Sequence, residues 1–200
     1  MPAQATSLYQ NRYRIPSARA EWWDYAAPGS YFITVCTAQR QHLFGCVQHG
    51  QMRLSPLGEI ARAEWERSFA IRAELACDVY IIMPNHIHAI VRIIEPVETH
   101  GRVSPPNGNS TGTRPPKSVS SFVAGFKSAT TTRINAYRQT PGVPVWQPRF
   151  HDHIIRHDVA YQRIMAYIRN NPARWARDRF CRARTQYQPF YNNFVISIPP

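Results

Sequence analysis

Apolar positions change their period several times along the chain, and each change marks a different element. Residues 31–37, Tyr-Phe-Ile-Thr-Val-Cys-Thr, are aromatic and β-branched and predict a strand. Gly45 and Gly50, with polar residues between them, predict a hairpin or turn. Ser55-Pro56 then offers a capping hydroxyl followed by proline at the first helical position. Leu57, Ile60, Ala61 and Trp65 recur at helical spacing, so residues 56–69 read as an amphipathic helix. Residues 78–94 return to β character through Val79, Ile81 and Ile82, then Ile87, Ala89, Val91 and Ile93. Pro84-Asn85 interrupts this run and predicts a bulge or an edge position there.

Residues 95–117 are rich in Pro, Gly, Ser, Thr and Asn with hardly any large apolar side chain, which predicts a mobile loop. Helical spacing resumes over 118–138 with Val119, Phe122, Val123, Phe126 and Ile134, and a short strand follows at 149–156. Asp158 is placed to cap a helix over 159–171, which Pro172 ends. Residues 1–30 and 176–200 are rich in arginine and aromatics without clear periodicity. They read as an N-terminal arm and a C-terminal tail around a central domain of residues 31–175. Alternating strands and helices in this order predict an α+β sandwich, an antiparallel central sheet with helices packed on one face.

Charge narrows the function classes. Across 200 residues, 24 Lys plus Arg stand against 12 Asp plus Glu, a formal charge of +12. Such an excess points to a polyanionic partner, nucleic acid first and an anionic membrane surface second. Lys117 and Lys127 are the only lysines, and arginine, which forks onto phosphate and stacks on bases, favours nucleic acid. No apolar run approaches the roughly 20 residues of a membrane span, and residues 1–30 lack the apolar core of a signal peptide, so a cytoplasmic protein is expected. The four cysteines form no C-x-x-C pair, and Cys36 and Cys77, set in apolar runs, read as buried reduced thiols.

Two local patterns carry possible chemistry. His86-Ile87-His88 lies in the second β-like run, where residues i and i+2 share a face, so both imidazoles project together and can bind one divalent metal. The spacing alone also fits two histidines on a polar sheet face, and His151-Asp152-His153 repeats it among 8 histidines. The second pattern is Tyr167-Ile168-Arg169-Asn170-Asn171-Pro172. Tyr161, Ile164, Met165 and Ile168 form the apolar stripe of that helix, and Tyr167 falls roughly 110° from its centre. Asn171, Arg163 and Arg174 fall on the side of Tyr167, a flank suited to a phosphodiester, although a half-exposed helix-end tyrosine fits the pattern too.

Taken together, these blocks resemble a known family. Met83-Pro84-Asn85-His86-Ile87-His88 resembles the histidine–hydrophobic–histidine block of the HUH endonucleases, in the form typical of transposases associated with repetitive extragenic palindromes (REPs). Those proteins are relatives of the single-tyrosine transposases of small insertion sequences. Gly29–Thr37 with Leu43-Phe44-Gly45 resembles the family's first strand. Phe126-Lys127-Ser128, Trp146-Gln147 and Asp152-His153-Ile154-Ile155-Arg156 resemble its middle blocks, and Tyr167 to Pro172 with Trp175 its tyrosine motif. The resemblance runs from about Tyr25 to Trp175.

It implies a ferredoxin-like fold, with Tyr167 as nucleophile, His86 and His88 as metal ligands and Asn171 as third ligand. Insertion-sequence relatives often carry glutamine where Asn171 stands, one methylene longer. A site of two imidazoles and one amide suits Mg²⁺ or Mn²⁺. The implied activity is metal-dependent cleavage and transfer of single-stranded or hairpin DNA, by a monomer or a homodimer. The alternative is a DNA-hairpin-binding protein of the same fold that does not cut. Candidate phosphate contacts are Arg12, Arg14, Lys127, Arg163, Arg174, Arg177, Arg179, Arg182 and Arg184.

Overall fold

The computed structural model of the chain describes residues 27–94 and 118–181. The 95–117 segment, both ends of the chain, and with them Arg12, Arg14, Arg182 and Arg184, lie outside the described residues. Strand β1 (Gly29–Cys36) leads to a hairpin of β2 (Gly45–Gln48) and β3 (Gln51–Leu54), then to helix α1 (Pro56–Ala70). Strands β4 (Leu75–Met83) and β5 (His86–Ile93) follow, then α2 (Val119–Arg138), β6 (His151–Ile155), α3 (Asp158–Arg169) and the short α4 (Asn171–Arg174).

The main sheet has the order β4-β5-β1-β6 with every neighbouring pair antiparallel. Leaving aside the β2–β3 hairpin, the succession β1-α1-β4-β5-α2-β6 is the split β-α-β arrangement of a ferredoxin-like sandwich. The sheet's two faces separate by parity. Tyr31, Ile33 and Val35 of β1 and Ile87, Ala89 and Val91 of β5 form one core with Trp65 of α1 and Phe122 and Phe126 of α2. Trp65 is the hub of that core, its ring 5.4 Å from Phe122 and 5.0 Å from Phe126. Phe32 and Ile90 face the other way and pack with Tyr161, Ile164, Met165 and Ile168 of α3. Thus α1 and α2 cover one face as expected, and α3 lies on the other, because its stripe is complementary to the even-numbered positions of β1 and β5.

Four local expectations change. Pro84-Asn85 is neither a bulge nor an edge position: it is the two-residue turn between β4 and β5, with Met83 paired to His86. The irregularity in β4 falls instead between Cys77 and Val79. The N-cap of α3 is His157, whose Nδ1 accepts from the Ala160 amide at 3.2 Å, and Asp158 is the first helical residue. Helix α3 ends at Arg169 rather than at 171, and Pro172 is an early residue of α4, where proline costs no hydrogen bond. Cys36 and Cys77 are half-buried free thiols rather than fully buried ones. No helix among the described residues is long and apolar enough to cross a membrane.

The start of α1 is fixed by close backbone approach. Ser55 Oγ accepts from the Gly58 amide at 3.1 Å and donates to the Leu43 carbonyl, while the Ser55 amide donates to Phe44 O. A Cβ on Gly58 would lie 2.3 Å from Phe44 O. Alanine is a better helix former than glycine by about 1 kcal/mol. Here the clash is with backbone, and overpacking of this kind costs about 1–3 kcal/mol. Gly58→Ala is therefore expected to lower the urea midpoint at unchanged slope; a raised midpoint would show that the loop at Phe44 yields freely.

Candidate active site

The β4–β5 turn places His86 at the first position of a central strand, flanked by Met83 on β4 and Cys36 on β1. His88 follows on the same face, opposite Thr34 and Ile81. Alternation sends Ile87 into the α1/α2 core and both imidazoles toward α3. Both rings are buried, with centroids 4.4 Å apart. His88 Nδ1 lies 2.9 Å from Thr34 Oγ1, and His86 Nδ1 lies 2.9 Å from Asn85 Oδ1.

The outward nitrogens are the chemically available ones. His86 Nε2 is buried without a hydrogen-bond partner, and His88 Nε2 lies 3.2 Å from the Tyr167 hydroxyl. Tyr167 is 37% exposed, off the apolar stripe of α3, with Phe32 edge-on beside it. Asn171 is buried at the start of α4. Its Nδ2 donates to Asp178 Oδ2 at 3.3 Å, and its Oδ1 has no partner. It reaches the site from the next helix rather than from one turn further along α3. Its amide favours the Tyr167 phenolate by hydrogen bonding.

Electrostatics make this a neutral pair of imidazoles. Burial, then the charge of His88, Arg179, Arg40 and His42, pushes His86 down to about 2. Burial, Arg179 and His151 push His88 down to about 3. Tyr167 is raised, first by burial and then by the Asp178 carboxylate, against the lowering influence of Asn171 and Arg179. At neutral pH the site therefore holds two neutral imidazoles, each with one lone-pair nitrogen, beside a protonated phenol. Among the described residues no group of three or more His, Cys, Asp or Glu side chains is arranged to hold a metal. Two imidazoles and the Asn171 amide oxygen are a donor set that suits a divalent cation: His86 Nε2 and Asn171 Oδ1 are buried without partners, and His88 Nε2 meets only the Tyr167 hydroxyl.

Several contributors went unmarked in the sequence. Thr34 and Asn85 orient the two histidines. Phe180 packs 4.5 Å from the His86 ring, with the Arg40 and Arg179 guanidiniums over it at 5.1 and 4.9 Å. Arg40 has the left-handed φ of 55°, rare for a side-chain-bearing residue. A signal for Asn85 was present in the Met-Pro-Asn-His block; Phe180 and Asp178, beyond the last recognisable motif, had none. Among the candidate phosphate contacts, Arg163, Arg174, Arg177 and Arg179 are exposed, and Arg179 bears on the site. Lys127 donates to the carbonyls of Gln147 and Arg149, holding the segment before β6. His151 stands in the same cross-strand row as Thr34 and His88, so the second H-x-H is on the site's face rather than remote from it.

No family model matches the chain. An uncharacterized protein of Haemophilus influenzae (strain Rd) is 35% identical over 171 residues, which is 82% of this chain and 91% of that protein. The chain belongs to the family of that Haemophilus protein. Among solved structures, a REP-associated tyrosine transposase bound to a REP hairpin superposes with a TM-score of 0.52 at 21% identity, covering 78% of this chain and 74% of that one. The chain has the fold of a REP-associated tyrosine transposase. The α+β sandwich predicted from the strand and helix order, in the ferredoxin-like form that the family resemblance implies, is the fold that the structure and the comparison both show.

The neutral histidines make stability depend on pH. In the unfolded chain an imidazole protonates near 6.5, whereas in the fold His86 and His88 do so only near 2 and 3. Between those limits the unfolded state binds more protons, so stability is full above about pH 6.5 and falls steadily as pH drops toward 3. Urea midpoints measured from pH 8 to pH 4 are expected to show this fall, with a shallower slope in the His86→Gln/His88→Gln double variant. Equal slopes would show that the imidazoles are not buried in neutral form.

Proposed function

We propose that the chain is a REP-associated tyrosine transposase, a metal-dependent endonuclease and strand transferase of single-stranded or hairpin DNA. The observation that carries this reading is the Tyr167 hydroxyl, 3.2 Å from His88 Nε2 and beside two buried neutral imidazoles. His86 Nε2, His88 Nε2 and Asn171 Oδ1 would hold one divalent cation, Mg²⁺ or Mn²⁺. When bound, that cation supplies Lewis-acid polarisation of the scissile phosphate.

The chain's own groups do the rest. Tyr167 Oη attacks phosphorus, the bond from phosphorus to the 3′ oxygen breaks, and a 5′-phosphotyrosine forms with a free 3′-hydroxyl. His88 Nε2 cannot hold a cation and accept the phenol proton together, so that proton leaves to water through the exposed side of the ring, and the leaving oxygen takes a proton from solvent. The phosphotyrosine keeps the ester's energy, so another 3′-hydroxyl can reverse the step and join strands. Arg163, Arg174, Arg177 and Arg179 offer exposed guanidiniums to backbone phosphates, Arg179 within reach of the phenol's charge, and the aromatic content suits unstacked bases.

A second reading has a specific observation in its favour. Phe180 covers His86, and Asp178 holds the Asn171 amide. Both contacts suit a hairpin-binding protein that no longer cuts. Incubating the full chain with a 5′- or 3′-labelled hairpin bearing single-stranded flanks, with Mn²⁺ or Mg²⁺, separates the two. Wild-type protein is expected to form an adduct through the 5′ phosphate at Tyr167. Tyr167→Phe should bind DNA equally and form no adduct, while His86→Ala and His88→Ala should each slow cleavage more than about a hundredfold, beyond the loss typical of residues that merely support a ligand. Binding without cleavage in either metal would favour the second reading. Cleavage to free 5′-phosphates without an adduct would replace the tyrosine by water as nucleophile.

A further inference from the structure

We propose that Asn85 is a positioning residue that fixes the tautomer of His86, so that the Nε2 lone pair, rather than an N–H, is presented to the site. The inference rests on the reading of His86 as a ligand, and it concerns the residue behind the ligand. Asn85 is fully buried in the two-residue turn between β4 and β5. Its Nδ2 donates to two backbone carbonyls, Arg40 O at 3.1 Å and Phe180 O at 2.8 Å. Carbonyl oxygens only accept, so the amide cannot be turned around: its oxygen would then face two oxygens. Oδ1 is thereby committed to His86 Nδ1, 2.9 Å away. An amide oxygen is only an acceptor as well. His86 Nδ1 must therefore carry the proton, and Nε2 is left unprotonated, buried and without a partner.

The side chain at this position has to meet three demands at once. It needs one acceptor for the imidazole and two donors for carbonyls from separate segments. Aspartate would keep the acceptor, lose both donors and bury a charge. Leucine would approximate the volume and lose all three bonds. The backbone carbonyl of Asn85 adds a further anchor by accepting from the Thr37 amide and hydroxyl at 2.9 and 3.0 Å. The amide is thus held in place before it orients anything.

The test uses the full chain, metal-free and labelled with ¹⁵N in histidine, so that long-range ¹H–¹⁵N spectra read which ring nitrogen carries the proton. Wild-type His86 is expected as the Nδ1–H tautomer, Asn85→Asp to retain it, and Asn85→Leu to lose the preference. Mn²⁺ titration followed by electron paramagnetic resonance should then show Asn85→Leu binding about 10–100-fold more weakly than wild type. A wild-type His86 protonated on Nε2 overturns the proposal, and so does an unchanged tautomer in folded Asn85→Leu. Should Asn85→Leu fail to fold, the wild-type and Asn85→Asp spectra still decide. A wild type with the expected tautomer that binds no Mn²⁺ supports the tautomer lock and sinks the ligand reading instead.

Discussion

Everything at the candidate site depends on the register of β5 between β4 and β1. Because side chains alternate, a slip of one residue would turn His86 and His88 into the α1/α2 core and Ile87 toward Tyr167. The register is held from both sides. The two-residue turn fixes Met83 against His86, and the pairing with β1 fixes Cys36 and Thr34 against His86 and His88. The apolar face then removes any choice, since Ile87, Ala89 and Val91 sit under Trp65 and Phe122 where an imidazole would have no partner. The chemistry on one face is specified by the packing on the other.

The same constraint explains what could be read from the sequence. Period located the strands and helices, and capping the start of α1, because those signals are local: Ser55 caps α1 through a bond within a single turn of chain. The face shared by His86 and His88 was legible for the same reason. What was not legible depends on contacts distant in sequence. Pro84-Asn85 looked like an interruption of one strand, and only the pairing of β4 with β5 makes it a turn. Asn171 was placed one turn beyond Tyr167, but Pro172 starts a new helix, and the amide arrives from there. Phe180 sits over residues nearly a hundred positions earlier, a contact with no periodicity to announce it.

Burying two imidazoles so close together would be unfavourable if either were charged, and the surroundings ensure that neither is. Arg40 and Arg179 lie near enough to disfavour protonation, and both stack on Phe180. The result is a cationic rim around a neutral, lone-pair-bearing floor. Such an arrangement attracts a phosphate to the rim while leaving the floor able to ligate, two tasks that a carboxylate-lined site would set against each other.

The turn at Asp178 to Cys181 ties these features together. Asp178 Oδ1 accepts from the Phe180 amide at 2.8 Å, Asp178 Oδ2 accepts from Asn171, and the Phe180 carbonyl accepts from Asn85. One short stretch therefore touches the amide, the imidazole and the residue behind the imidazole. Its contacts with Asn85 are nevertheless duplicated. Losing the Phe180 carbonyl leaves Nδ2 bonded to Arg40 O, and a single carbonyl acceptor is enough to forbid the flipped amide. The orientation of His86 is thus held by the β1–β2 connection and the β4–β5 turn, within the sheet itself. The Phe180 turn covers His86 without being required to orient it.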